Sequence, residues 1–234
     1  MILPSSINPL EADKLKEQFN LNKKVVIKDF LKEETADFLF DFLSGEESAV
    51  YWYTAVLAGN DATGYEAEPN YFSRTDSIED IEANEFAAIQ SFGRGFFSYS
   101  FDKTGEHPKT CTCEICNFTN LIQSSEIFGK IAEIFNAELK KSVFYATRFK
   151  QVQFFAPHEI NSGKIGFRYE LTKNWRPEWG GNTFFTEEDK IKEIITPSFN
   201  TLTLFDISSY NSKFVSQVAA GVTDGVHSIE GYIK

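Results

Sequence analysis

The sequence is poor in positive charge and lacks any long apolar run. Its 234 residues carry 23 Lys and Arg against 34 Asp and Glu, a formal net charge of −11. Nucleic acid or an anionic bilayer would be repelled unless basic residues were segregated into a patch, and here they are scattered. We therefore expect neither a nucleic-acid partner nor a membrane partner. Without an apolar stretch of spanning length or a signal-peptide core, the sequence predicts a cytoplasmic protein.

Methionine is also scarce, with one residue, whereas aromatic residues are abundant: 24 Phe, 9 Tyr and 3 Trp. We expect a core built from rigid rings rather than from adaptable thioethers. The length and the hydrophobic fraction of 42% suit one soluble domain with a sizeable core. We predict a single domain over 1–234, with mainly helical support and pocket-covering loops in 1–141 and a β-rich core in 142–234.

Apolar spacing of three and four residues predicts helices in the first part of the chain. These helices are expected around Leu10–Lys16, over Leu31–Leu43 and over Ser124–Glu138. The β-branched run Val25–Ile27 predicts a short strand. The polar stretch Gly59–Ser77 predicts a loop that covers a pocket.

From Ser142 onward the pattern changes to short β-type runs separated by Gly, Pro, Asn and Asp turns. Eight strands are predicted: Val143–Phe149, Gln151–Pro157, Ile165–Leu171, Asn182–Thr186, Ile191–Thr196, Leu202–Ile207, Phe214–Val218 and Val226–Ile233. Such a succession after helices indicates an α+β fold. We expect a double-stranded β-helix, or jelly roll, buttressed by the N-terminal helices.

One segment carries a family resemblance. Leu171–Gly181, which reads LTKNWRPEWGG, follows Phe155–His158 and Gly163–Ile165 at a characteristic spacing. Over these motifs, and from about Val143 to the C-terminus, the chain resembles the prolyl-hydroxylase-like Fe(II)/2-oxoglutarate oxygenases. The resemblance implies a jelly-roll oxygenase fold, whereas the chemistry must be judged from the individual residues.

The resemblance places the family's site residues on this sequence one by one. The first iron-binding histidine is His158, and the family's Asp falls at Ile160, where a nearby one-residue deletion lets Glu159 turn inward instead. The second histidine falls at Lys213, and the Arg that binds 2-oxoglutarate falls at Val226. Three of the four anchors are therefore missing, so an ordinary 2-oxoglutarate-dependent hydroxylase is disfavoured.

Strand alternation then predicts which other side chains face the barrel interior. In the family register these are Arg168 and Glu170 on one strand and Val226, Ser228, Glu230 and Tyr232 on the last. Several carboxylates inside a barrel must protonate, pair with a cation or bind a metal. We predict iron held by His158, Glu159, Glu170 and Glu230, in a carboxylate-rich set that suits two irons.

This combination resembles a two-iron, nitrile-forming enzyme that converts brominated tryptophan to an indole-3-carbonitrile. The resemblance implies oxygen and an aromatic amino acid as substrates, with Glu170 and Glu230 catalytic and with Arg168, Lys213 and Tyr232 binding the substrate. Two alternatives stay open: a 2-oxoglutarate-dependent hydroxylase with a shifted ligand set, and a non-catalytic jelly-roll binding module. A homodimer is also left open.

Each site assignment has a plain structural alternative. His158 is alternatively a satisfied core histidine, and a one-residue register slip would turn Glu170 and Glu230 into solvated strand charges. Arg168 alternatively pairs only with Glu170. His227 lies one residue from the inward set and is expected to face the helices.

All three cysteines lie in one short segment together with a histidine. His107, Cys111, Cys113 and Cys116 form the pattern His-x3-Cys-x-Cys-x2-Cys, which contains four ligands of the kind that zinc prefers. We predict a structural zinc site here. The alternatives are reduced thiols in a local turn and a redox-active cysteine pair.

Overall fold

The computed structural model describes residues 6–59, 68–105, 107–108, 110–140, 142–160, 163–188 and 190–234. The helices in these ranges are α1 (Ala12–Asn22), α2 (Glu33–Ser44), α3 (Ile78–Gly93), α4 (Glu114–Ile122) and α5 (Ser125–Phe135). The strands are β1 (Lys24–Lys28), β2 (Trp52–Leu57), β3 (Asn70–Phe72), β4 (Tyr99–Thr104), β5 (Ser142–Phe149), β6 (Phe154–Glu159), β7 (Ile165–Leu171), β8 (Thr183–Glu187), β9 (Lys190–Ile195), β10 (Phe199–Asp206), β11 (Ser212–Val215) and β12 (Val226–Ile233).

The strands form one antiparallel sheet that curls into a half-barrel with two walls. One wall has the order β1-β10-β7-β12-β5, and the other has the order β6-β11-β8-β9. Strand β4 joins them because it pairs with both β5 and β6. This is the jelly-roll topology, so the predicted α+β fold class is confirmed.

The eight predicted strands correspond to β5–β12, with ends that differ by up to three residues. Differences of three residues occur at the start of β10, at the end of β11 and at the start of β6, where Gln151–Pro157 was expected and Phe154–Glu159 is found. Residues 150–153 form a turn instead, in which the Gln153 amide donates to the Lys150 carbonyl oxygen. Val152 adopts a left-handed φ of 61° there. Residues 150–153 contain no Gly, Asn or Asp, the residue types that favour this conformation, so the sequence does not predict the turn.

The expectation of a mainly helical first part is only partly right. Strands β2, β3 and β4 lie within it, beside the predicted strand at β1. Strand β3 falls inside the predicted loop 59–77, of which residues 60–67 lie outside the described residues. Strand β4 extends the barrel sheet because Asp102 and Lys103 pair with β5 and Tyr99 and Ser100 pair with β6.

The helices cover the outer face of the first wall and form the main core with it. Phe118 of α4 stacks on Tyr169 of β7, with ring centroids 4.9 Å apart, and both side chains are buried. The expected core of rigid rings is found here. Because side chains alternate along a strand, the neighbours of Tyr169, Arg168 and Glu170, must point to the opposite face, into the barrel.

None of the helices in the described ranges has the length and apolar character needed to cross a membrane.

Candidate functional site

A cavity of about 220 Å³ lies inside the barrel between the two walls. His158 of β6 and Lys213 of β11 line it from one wall, and they face each other in the register of these two strands. Arg168 of β7 and Glu230 of β12 line it from the other wall, again as direct register partners. The cavity therefore gathers residues that are far apart in sequence through strand pairing alone.

Four charged side chains form one hydrogen-bonded group, which we call the barrel cluster: Arg168, Glu170, Lys213 and Glu230. Arg168 Nη1 donates to Glu230 Oε2 at 2.8 Å, and Lys213 Nζ donates to the same oxygen at 3.4 Å. Arg168 Nε donates to Glu170 Oε1. One carboxylate oxygen thus receives two cations, and Arg168 links both glutamates.

The two glutamates of the barrel cluster have opposite electrostatic environments. Burial alone would raise the pKa of Glu230, but the charges of Lys213 and Arg168 outweigh it and lower that pKa. Burial raises the pKa of Glu170 in spite of Arg168. Glu170 Oε2 is also buried without a hydrogen-bond partner among the described residues. The two cations therefore favour the ionised form of Glu230, whereas burial opposes ionisation of Glu170.

His158 is partly buried and held in one orientation. Its Nδ1 donates to the Ala156 carbonyl oxygen at 3.2 Å, and its ring packs 4.2 Å from the Phe155 ring, measured between centroids. Burial, together with the nearby Lys213 ammonium, lowers the pKa of His158 to about 4. The imidazole is therefore neutral at pH 7, with Nε2 as its lone-pair nitrogen.

The remaining positions of the resembled family's site carry different chemistry. Lys213 places an ammonium group opposite His158, where the family has its second histidine. Val226, at the position of the cofactor-binding Arg, is fully buried in an apolar cluster with Phe149, Val215 and Val218. The Lys213 ammonium has no lone pair with which to bind a metal, and the Val226 side chain offers no partner for the far carboxylate of 2-oxoglutarate.

The described residues do not gather three ready metal-ligand atoms in the barrel. Across the described residues, three or more His, Cys, Asp or Glu ligand atoms come together in a single place, outside the barrel. The sequence predicted a metal beside the inward carboxylates of Glu170 and Glu230; in the structure two cationic groups pair with these carboxylates, Arg168 with both and Lys213 with Glu230. A divalent cation at this point would also be repelled by those two groups. Glu159, the weakest of the predicted ligands, lines the cavity but is exposed.

Aromatic residues form much of the remaining cavity wall. Phe185, Phe205 and Tyr232, the last predicted as substrate-binding, all line it. Tyr145 of β5 also lines it, as the register partner of Glu230, and burial raises its pKa. Sequence analysis missed Tyr145, although alternation along β5 could have found it. Tyr145 also lines a second, larger cavity of about 910 Å³, together with other rings from β4 and β6.

His227 and the cysteine segment lie outside the barrel. The ring of His227 packs edge-on against Phe40 of α2, at 5.8 Å between centroids, as its register predicts. His107, Cys111, Cys113 and Cys116 come together, with one ligand atom of each within 4.8 Å of all the others. All three cysteines are free thiols.

Sequence analysis missed a second buried charged group, centred on Asp102 of β4. Its Oδ2 accepts from Arg148 Nη2 at 2.7 Å and from Lys150 Nζ at 3.3 Å. Its Oδ1 accepts from Thr54 at 2.9 Å and from Gln153 at 3.0 Å. Burial opposes ionisation, but the charges of Lys150 and Arg148 prevail and lower the pKa of Asp102. We call Asp102, Arg148, Lys150, Thr54 and Gln153 the Asp102 cluster.

Comparison with known proteins agrees with this architecture. A model of the 2OG-Fe(II) oxygenase superfamily matches residues 144–234, which span β5–β12. No curated protein matches the sequence.

Several solved structures share the fold at low sequence identity. A prolyl hydroxylase from Trichoplax adhaerens, solved with a hypoxia inducible factor peptide fragment, superposes with a TM-score of 0.60 at 16% identity, covering 95% of this chain and 88% of that one. An oxidoreductase of the 2OG-Fe(II) oxygenase family from Burkholderia pseudomallei gives 0.58 at 10% identity, covering 97% and 92%. A prolyl-4-hydroxylase from Pseudomonas putida gives 0.56 at 10% identity, covering 95% and 98%. At these identities the likeness establishes the fold, and the chemistry rests on the residues of the cavity.

Proposed function

We propose that the protein binds an amino acid with an aromatic side chain in the barrel cavity, and that it does so without 2-oxoglutarate. The observation that carries this proposal is that Arg168 and Lys213 share one carboxylate oxygen of Glu230. Arg168 also pairs with Glu170, so Lys213 is the cation of the barrel cluster whose ammonium keeps donors for a ligand carboxylate.

Lys213 is the cation best placed to receive a ligand carboxylate. Its ammonium has three donors, its bond to Glu230 is long at 3.4 Å, and its side chain is 22% exposed. Arg168, by contrast, is buried and already bridges both glutamates. A carboxylate beside Lys213 would gain a charge-assisted hydrogen bond in a site partly screened from water.

The shape and lining of the cavity favour a small aromatic ligand. A volume of about 220 Å³ lies below the range of roughly 300–1,000 Å³ that is usual for drug-sized ligands. Phe185, Phe205 and Tyr232 offer ring faces on which an aromatic side chain can pack. An amino acid matches both features, because it carries one carboxylate and one compact apolar group.

The environment of Val226 argues against 2-oxoglutarate. In the resembled family an Arg at this position pairs with the far carboxylate of the cofactor. Here a fully buried valine packs among apolar side chains. Burying a carboxylate there without a partner would cost several kcal/mol, of the order of 2–7 even for a neutral polar group. We expect binding of the protein to 2-oxoglutarate to be weak.

Calorimetric titration with L-tryptophan, tryptamine and 2-oxoglutarate tests the proposal. L-tryptophan should bind. Tryptamine, which lacks the carboxylate, should bind roughly tenfold more weakly, which corresponds to a loss of about 1.4 kcal/mol of binding free energy. Lys213→Met should lower the affinity for L-tryptophan by a similar factor, whereas Lys190→Met, a control at an exposed position, should leave that affinity unchanged. Equal affinity for tryptamine, or binding of 2-oxoglutarate alone, would overturn the proposal.

A second candidate is the oxidative reaction predicted from the sequence, in which two irons convert tryptophan to a nitrile without 2-oxoglutarate. The superfamily match supports it, as does the bond from His158 Nδ1 to the Ala156 carbonyl, since such a bond orients histidine ligands in metal sites. Metal analysis after anaerobic reconstitution with iron tests it, followed by oxygen uptake with tryptophan.

The outcomes separate the candidates. Three results together would support the second candidate: about two irons per chain, a rate of oxygen uptake that does not depend on 2-oxoglutarate, and a nitrile product. One iron with a strict need for 2-oxoglutarate would indicate a hydroxylase with a shifted ligand set. Ligand binding with no retained iron would support a binding module alone.

A further inference from the structure

We propose that His107, Cys111, Cys113 and Cys116 bind one Zn²⁺ ion, outside the barrel and independent of its cavity. The four side chains come together in the fold, with one ligand atom of each within 4.8 Å of all the others. Three thiolates and one imidazole are a complete ligand set for a structural zinc site, which has no open position. The site would therefore be structural rather than catalytic.

The spacing of the ligand atoms suits a tetrahedral ion. Bonds of about 2.3 Å to sulfur and about 2.0 Å to nitrogen place neighbouring tetrahedral ligands roughly 3.5 Å apart for nitrogen and sulfur. His107 Nδ1 lies 3.5 Å from Cys111 Sγ and 3.3 Å from Cys113 Sγ. One nitrogen already facing two sulfurs at this separation needs little movement to share an ion with them.

The chain around the cluster is positioned by packed elements. Cys113 is the residue that precedes α4 and Cys116 lies in its first turn, while Ile115 and Phe118 of the same helix are buried in the main core. His107 follows β4, a strand of the barrel sheet. A zinc ion would thus cross-link the end of β4 to the start of α4.

Tyr51 packs against one of the four ligands. Its ring stacks on the His107 imidazole, with centroids 4.9 Å apart and an interplanar angle of 23°. Contacts of this kind orient metal ligands and are a usual part of a metal site.

The cluster also borders the larger cavity, since His107, Cys111 and Cys116 contribute to its lining. Loss of the ion should therefore loosen one wall of that cavity without altering the barrel cluster. This places the effect of zinc on stability rather than on ligand binding in the barrel.

Metal analysis of the full-length protein, purified under reducing conditions, is the first test. We expect about one Zn²⁺ per chain. Replacement by Co²⁺ should give sulfur-to-cobalt charge-transfer bands and the intense d–d bands of a tetrahedral thiolate site. Cys116→Ser should lose most of the bound metal, whereas the control His158→Gln, which alters the barrel, should keep it. Metal-free protein, or equal zinc in Cys116→Ser, would overturn the proposal.

Thiol reactivity of the unmodified protein provides a test that needs no variant. The three thiols should react slowly with a disulfide reagent while zinc is bound and quickly after treatment with a chelator, and the melting temperature should fall with the metal. Reactivity and melting temperature that are indifferent to the chelator would contradict a zinc site. A disulfide found by mass spectrometry after reducing purification would assign the cluster to redox chemistry instead.

Discussion

The barrel cluster and the Asp102 cluster are both buried groups of cations and carboxylates, yet they are built differently. In the Asp102 cluster both carboxylate oxygens accept two or more donors. In the barrel cluster Glu170 Oε2 has no hydrogen-bond partner among the described residues, and Glu230 Oε2 is shared by two cations. The first cluster lies in packed structure, whereas the second borders a cavity.

This difference separates a structural role from a binding role. A satisfied buried ion pair fixes strand pairing and offers nothing to a ligand, because every lone pair and proton is used. In a buried charged group beside a cavity, some hydrogen-bond donors and acceptors can lack a full set of partners. A ligand of matching charge can then bind to them. The Asp102 cluster should therefore govern stability, and the barrel cluster should govern binding.

The largest effect should come from removing Asp102. Asp102→Ala leaves Arg148 and the amide of Gln153 without their shared acceptor, and breaking such a pair typically costs about 3–5 kcal/mol. Urea denaturation should show this loss in the free energy of unfolding. Asp13→Asn, at an exposed position in α1, is the control and should cost under about 1 kcal/mol. A loss below about 1 kcal/mol for Asp102→Ala would contradict the structural role.

Glu230→Gln should be the next most severe change. The amide keeps an oxygen but loses the charge that Arg168 and Lys213 share, and hydrogen bonds to charged groups are worth about 1.5–3 kcal/mol. We expect a loss of that size in the free energy of unfolding. Stability should partly return with a bound monocarboxylate ligand, because the ligand supplies the missing negative charge. No return at saturating ligand would count against the proposed binding site.

The fold of residues 142–234 was predictable because its signals are local. Alternating β-branched and aromatic residues bounded by turn residues gave all eight strands, including β12 with both ends correct. The start of β6 was wrong because the turn around Val152 contains no Gly or Pro. Strand β4 was missed because buried Asp102 interrupts its apolar pattern, and the partners of Asp102 come from distant strands.

For the candidate site, the sequence predicted which residues lie there but not how they pair. Alternation and family resemblance placed Arg168, Glu170 and Glu230 on one side of their strands, and all three belong to the barrel cluster. Their mutual pairing could not be predicted, because the distance from Lys213 on β11 to Glu230 on β12 depends on how the two walls close. If Lys213 lies within hydrogen-bonding distance of Glu230, its ammonium pairs with that carboxylate; if it lies farther away, the carboxylate is left for a metal.

A pH-dependent effect should arise from His227, which belongs to neither cluster. Burial against α2, with the nearby charge of Arg148, lowers the pKa of His227 to about 4, below its ordinary value near 6.5. A lowered histidine pKa means that the unfolded chain binds the proton first, so stability is complete above pH 6.5 and falls as the pH drops toward 4. Each pKa unit corresponds to about 1.4 kcal/mol, so His227→Leu should remove roughly 2 kcal/mol of this acid-induced loss. Unfolding at pH 7 and pH 4.5 measures it, and an unchanged difference between the two would refute this role.

The smallest effect should come from Glu170→Gln, and it tests the contrast between the two glutamates most sharply. Because burial already biases Glu170 toward its neutral form, an amide of the same shape keeps the acceptor for Arg168 Nε while changing little charge. We expect a loss under about 1 kcal/mol in the free energy of unfolding, smaller than for Glu230→Gln. Affinity for L-tryptophan should stay within roughly threefold, a difference of less than 1 kcal/mol. If Glu170→Gln instead costs as much as Glu230→Gln, the contrast between the two glutamates is contradicted.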